Sequence, residues 1–114
     1  MLTNLEMQEI AERYLAFIML NSSSDIELAL YDNRIKKDYG NLFVYQSKNF
    51  METGDEQYLL GGNAPFLVEK ETGRVVSFGT AYPEEYYFEA YENGTLEPTL
   101  TRYWYPEDER YDFK

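Results

Sequence analysis

The sequence predicts an α+β fold: a small single domain with an antiparallel sheet of about four to five strands, an N-terminal helix and a second helix packed on one face. Three observations carry that expectation. The first 20 residues place apolar side chains at helical spacing, residues 64–80 read as two strands joined at a glycine turn, and residues 84–93 read as an aromatic helix between Pro83 and Gly94. A chain of 114 residues with 44% hydrophobic content builds one modest core, so residues 1–94 are expected to form the domain. Residues 95–114 are expected to add a C-terminal extension, an edge strand followed by an acidic tail.

Each element has a local reason. Thr3 and Glu6 fit a capping box, with Leu2 and Met7 placed as the hydrophobic staple. Met7, Ile10, Ala11, Tyr14, Leu15 and Ile18 then recur on one side of a helix ending near Leu20, before the polar stop of residues 21–24. IELALY, residues 26–31, and NLFVYQS, residues 41–47, are expected to pair as an antiparallel hairpin across the polar residues 32–40. FMETGDEQYLLGGN, residues 50–63, has no clean period. Asp55 is placed to cap one short helical turn, closed by Gly61 and Gly62. APFLVEK starts with Pro65 where a missing N–H costs least, and Gly73 supplies the left-handed residue of a three-residue turn. RVVSFGT returns. Pro83 opens the second helix with Glu84 and Glu85 at its positive end, and Tyr87, Phe88 and Tyr91 share its inner side. The run 99–105 is rich in β-formers, and PEDERYDFK is expected to be mobile or loosely docked.

Composition narrows the chemistry. The chain has no cysteine and no histidine, which removes thiolate chemistry, the usual general base near neutral pH and the commonest transition-metal ligand. The expectation is therefore a protein that is not an enzyme, with no catalytic residue, no cofactor and no metal. Twenty-one acids against ten bases give a formal charge of −11, which disfavours nucleic acid and anionic membrane surfaces and suits a basic partner. The N-terminus lacks the basic start and cleavage site of a signal peptide, so a cytoplasmic location is expected. Glu52, Asp55 and Glu56 miss the spacing of a calcium loop and read as a solvated acidic loop.

GGNAPFLVEKETGRVVSFGTAYPEEYY, residues 61–87, poses the sharpest question, because its glycines could cradle a phosphate or merely punctuate turns. A phosphate loop needs Gly-x-Gly-x-x-Gly, or Gly-x-x-x-x-Gly-Lys followed by Ser or Thr, between a strand and a helix. Neither spacing occurs, and Glu84 and Glu85 would repel a phosphate near Gly79. The glycines punctuate a hairpin.

Residues 49–92 resemble the immunity protein 35 (YrhB-like) family of bacterial polymorphic-toxin immunity proteins, through the pieces ETGDE, GNAPFLVEKETGRVV and FGTAYPEEYY. With the preceding helix and strands the resemblance covers residues 5–92. It implies a small bacterial α+β protein whose sheet carries helices on one side. It further implies a protein encoded beside a toxin of interbacterial competition, which it neutralises by binding. The family offers no catalytic motif and no fixed set of toxin contacts, and one branch of it is viewed as heat-stable and chaperone-like.

Twelve tyrosines are many for this length, and tyrosine brings rigid amphipathic area suited to interfaces. The candidate partner-binding residues are Tyr82, Glu85, Tyr86 and Glu89 on the second helix, and Tyr103, Trp104, Tyr105, Glu107, Asp108 and Glu109 in the extension. The expected partner is a cognate toxin domain, of basic character, whose active site or substrate path is occluded. Two other functions fit the same composition: a chaperone-like holdase with many weak clients, and an acidic DNA mimic. The interspersed Arg74, Arg102 and Arg110 make a continuous phosphate-like array the poorer of these.

Overall fold

The structure, a computed structural model, describes residues 1–22, 25–31, 35–61 and 63–112. The end of the 21–24 stop, the start of the 32–40 turn, Gly62 and the last two residues of the tail therefore lie outside the described residues. The capping box forms: Thr3 N–H donates to Glu6 Oε1 at 2.8 Å and Glu6 N–H donates to Thr3 Oγ1 at 3.1 Å. Helix α1 runs Asn4–Leu20 and buries Met7, Ala11, Tyr14 and Leu15. Leu2 packs against the same core, and its N–H donates to the Lys70 carbonyl at 2.9 Å.

The apolar run 41–47 divides at Val44. Its second half, β4 (Tyr45–Ser47), pairs with β1 (Leu28–Leu30) in a small antiparallel sheet, with Leu28 opposite Ser47. Its first half, β3 (Gly40–Phe43), enters a larger sheet beside β2 (Ile35–Lys37). The expected antiparallel pairing thus exists for only half of that run, and not as a hairpin, because β2 and β3 lie between β1 and β4 in the chain. Strand β2 was not foreseen because it is exposed and carries no alternation. Two further short elements follow: α2 (Lys48–Thr53), capped by Ser47, and a 3-10 turn Glu56–Tyr58 capped by Asp55.

The larger sheet has the order β2-β3-β5-β6-β7-β8, all antiparallel, with β5 Phe66–Glu69, β6 Val75–Ser77, β7 Tyr103–Tyr105 and β8 Arg110–Asp112. The β5–β6 hairpin is the predicted one, with Gly73 at φ +79°. A side chain there would also meet Ile10 Cδ1 at 2.7 Å. Gly40 answers a different need. A Cβ on it would lie 2.3 Å from the Val68 carbonyl oxygen, so β3 and β5 approach only because that side chain is missing.

The α+β class and the antiparallel sheet hold, with more strands than expected, but the helices do not share a face. Phe43, Phe66, Val68, Val75 and Trp104 pack with Met7, Ala11 and Tyr14 of α1. Leu42, Leu67, Val76 and Phe78 pack with Tyr87 and Phe88 of α3 (Glu84–Asn93). Successive strand residues point to opposite faces, so the two helices cover opposite sides of the sheet. A sheet covered on both sides reads as consecutive apolar residues, and Phe66-Leu67-Val68 and Val75-Val76 do so.

The C-terminal expectation is corrected as well. Strand β7 is interior to the sheet, and the edge is β8, which lies in the stretch expected to be loose. Tyr111 of β8 sets its ring edge-on against Tyr14 (6.2 Å) and Phe17 (5.6 Å), and its hydroxyl shares a 2.8 Å hydrogen bond with that of Tyr14. Tyr14 and Phe17 also flank Trp104, with ring centroids 5.2 and 5.5 Å away.

These contacts set two expectations. Trp104→Ala should destabilise the fold by about 3–5 kcal/mol, and Gly73→Ala by about 1–2 kcal/mol through its positive φ, both read from urea unfolding midpoints. Burial pushes the Tyr14, Tyr45 and Tyr111 hydroxyls above their ordinary pKa. The folded state therefore holds protons that the unfolded chain releases near pH ~10. Thermal unfolding temperatures should hold below that pH and fall as it rises further.

Candidate partner-binding surface

Helix α3 starts at Glu84, with Pro83 as its N-cap and Gly94 in the left-handed conformation as its C-cap. Its inner side buries Tyr87, Phe88 and Ala90, so the residues between them must face out. Tyr82 is 56% exposed and Tyr86 49%. Their rings lie 4.3 Å apart at 33°, and Tyr86 meets the buried Tyr87 edge-on at 5.3 Å. Glu85 and Glu89 are exposed and stand one turn apart beside them. Four of the nominated residues thus form one surface, an aromatic pair backed by a buried ring and flanked by carboxylates.

The other six divide. Trp104 is fully buried on the α1 side of the sheet, so it belongs to the core and is withdrawn from the binding set. Strand alternation, with one face of β7 under each helix, is the reason. Tyr103 turns to the α3 side, half-buried beneath Arg74, whose guanidinium carbon sits 4.4 Å from the ring centroid. Tyr105 is half-buried. Glu107, Asp108 and Glu109 are exposed in the turn between β7 and β8. Glu109 carries a φ of +49°. Arg13 anchors this turn to α1, donating to the Pro106 carbonyl at 2.8 Å and approaching Glu109 at 3.5 Å.

A polar cluster that the sequence did not suggest lies between these groups. Arg74 donates through Nε to Glu69 Oε1 at 2.7 Å and through Nη2 to Oε2 at 2.9 Å. Tyr91 of α3 donates its hydroxyl to the same carboxylate at 2.5 Å. Tyr39, in the β2–β3 turn, donates to Glu92 at 2.5 Å and lies 5.0 Å from the Tyr91 ring. Burial, and then the adjacent carboxylates, hold the Tyr39 and Tyr91 hydroxyls above their ordinary pKa. Burial works against the charge on Arg74, but Glu69 and the Tyr105 hydroxyl outweigh it and hold its pKa above the usual value. Part of this was readable, since Glu69 and Arg74 flank the ETG turn and opposite charges facing across a hairpin attract. Tyr39 and Tyr91 are too far apart in sequence to have been joined. Tyr39, Glu69, Arg74 and Tyr91, together with Tyr105 and Glu107, line a cavity of about 680 Å³ where three turns of the sheet converge.

Among the described residues no group of three or more acidic side chains is arranged to hold a metal ion, and no helix is long and apolar enough to cross a membrane. Asp55, from the acidic loop, instead accepts from the Gln57 N–H at 3.1 Å.

The uncharacterized protein YrhB of Escherichia coli (strain K12) is 48% identical to this chain over 50 residues, which is 44% of this chain and 53% of YrhB. The matched stretch thus spans about half the length of that relative. No solved structure matches the chain. The model of the family described as immunity protein 35 matches residues 8–93, from the second turn of α1 to the last residue of α3. The chain belongs to the immunity protein 35 family.

Proposed function

We propose that this protein neutralises a cognate bacterial toxin by binding it and occluding its active site or substrate path. The family match over residues 8–93 carries the reading, because an immunity family implies a toxin partner in general. The protein acts in the cytoplasm by stoichiometric binding rather than by chemistry. A chain without histidine or cysteine suits that mode of action.

The outer side of α3 is the proposed contact surface. Its inner side is held against the sheet by Tyr87 and Phe88, so Tyr86 is presented on a rigid element. Tyr82, in the bend just before the helix, is held by its ring contact with Tyr86. Both lose little freedom on binding. Buried aromatic anchors supply most of the affinity of such interfaces. The surrounding carboxylates, on a chain of net charge −11, speed the approach of a basic partner.

The test uses the toxin domain encoded beside this chain, titrated calorimetrically against purified protein. One-to-one binding is expected, and a Tyr82→Ala/Tyr86→Ala pair should weaken it by about tenfold or more while circular dichroism shows the variant still folded. Unchanged affinity in that variant would remove the α3 surface from the account. Weak, many-partner binding that is indifferent to this toxin would instead support a holdase.

A further inference from the structure

We propose that the cavity at the turn end of the sheet is a receptor for one basic side chain, an arginine or lysine presented by the protein partner. The proposal rests on the toxin-binding reading and deepens it by naming what this second part of the surface takes. Its volume, about 680 Å³, lies in the range of roughly 300–1,000 Å³ usual for ligand pockets.

The walls are aromatic and the rim is acidic. Tyr39 and Tyr91 lie against each other, and each hydroxyl is tied to a carboxylate, so both rings are fixed before any guest arrives. Tyr105 lines the same space. A cation over such rings is attracted by their electron-rich faces. The fold already places cations in this way on the α3 side of the sheet, with Arg74 over Tyr103 at 4.4 Å and Lys37 over Phe88 at 4.7 Å.

Charge decides the sign of the guest. Arg74 and Glu69 neutralise each other as a pair and drop out of the count. That leaves Asp38, Glu71 and Glu107 against Lys70 and the amino group of Met1, so the lining stays acidic by one charge. Asp38, Glu71 and Glu107 make no ion pair among the described residues. They stand at three different turns: β2–β3, β5–β6 and β7–β8. A flat acidic surface would attract a cation without placing it. Here Arg74 is locked to Glu69, whose carboxylate also accepts from the Tyr91 hydroxyl, so it forms a fixed wall. A planar or tetrahedral cation on an aliphatic stem is the guest that an aromatic, acidic lining suits.

The experiment needs no toxin. N-acetyl-arginine amide is titrated into the full chain while the tyrosine ring resonances are followed by NMR, with N-acetyl-glutamine amide and inorganic phosphate as parallel probes. Saturable shifts of Tyr39, Tyr91 and Tyr105 with the arginine probe alone are expected. In a Glu71→Gln/Glu107→Gln variant, whose two exposed changes leave the core untouched, the midpoint should rise by about threefold or more. Equal shifts with the glutamine probe, stronger binding of phosphate, or a midpoint unmoved in the variant would overturn the proposal. None of those results bears on whether the chain binds a toxin, so the two readings fail separately.

Discussion

Everything in this molecule depends on the β5–β6 hairpin being apolar on both faces. Phe66, Val68 and Val75 need α1 above them, while Leu67 and Val76 need α3 below. Neither helix could be removed without returning a whole side of the sheet to water, at about 25 cal/mol for each Å² of apolar area. The chain pays for a double-sided sheet with close backbone approaches, seen where Gly40 meets Val68 and Gly73 meets Ile10. The third contributor comes last in sequence, when β7 adds to β6 and places Trp104 between Tyr14 and Phe17.

That constraint also shapes the surface. With Tyr87 and Phe88 committed to the sheet, helical geometry leaves Glu85, Tyr86 and Glu89 on the outside, and Tyr82, just before the helix, lies against Tyr86. An aromatic pair that is half exposed, yet stacked and backed by a buried ring, differs from a solvated tyrosine because its position is already set. The proposed binding surface is in this sense a by-product of core packing. At the far end of the helix, about 7 Å beyond Tyr86 along its axis, Tyr91 turns inward to Glu69. There the same helix closes a cavity instead of presenting rings to solvent.

The sequence disclosed the elements whose causes are local. The capping box of α1, the turn at Gly73, the Asp55 cap and the limits of α3 between Pro83 and Gly94 all rest on neighbours a few residues apart. So did the outward set on α3, which follows from period alone. What was hidden depends on distant partners. Nothing in LFVYQ announces that the strand leaves one sheet for another at Val44. The opposite placement of the helices was encoded in consecutive apolar residues, which also fit a strand with one covered face and a few apolar residues to spare. Trp104 and Tyr105 look alike in sequence, yet they lie on opposite faces of β7, and only the pairing with β6 shows which one is core.

The central claim is that the outer side of α3 is where the partner sits. It is tested most directly by carboxylate footprinting, in which exposed acids are labelled with a carbodiimide and read by mass spectrometry, with and without the toxin domain encoded beside the chain. Strong protection of Glu85 and Glu89 in the complex, with Glu52 and Glu56 of the acidic loop still labelled, is the predicted result. Protection confined to Glu52 and Glu56, with Glu85 and Glu89 as reactive as in the free protein, would contradict it.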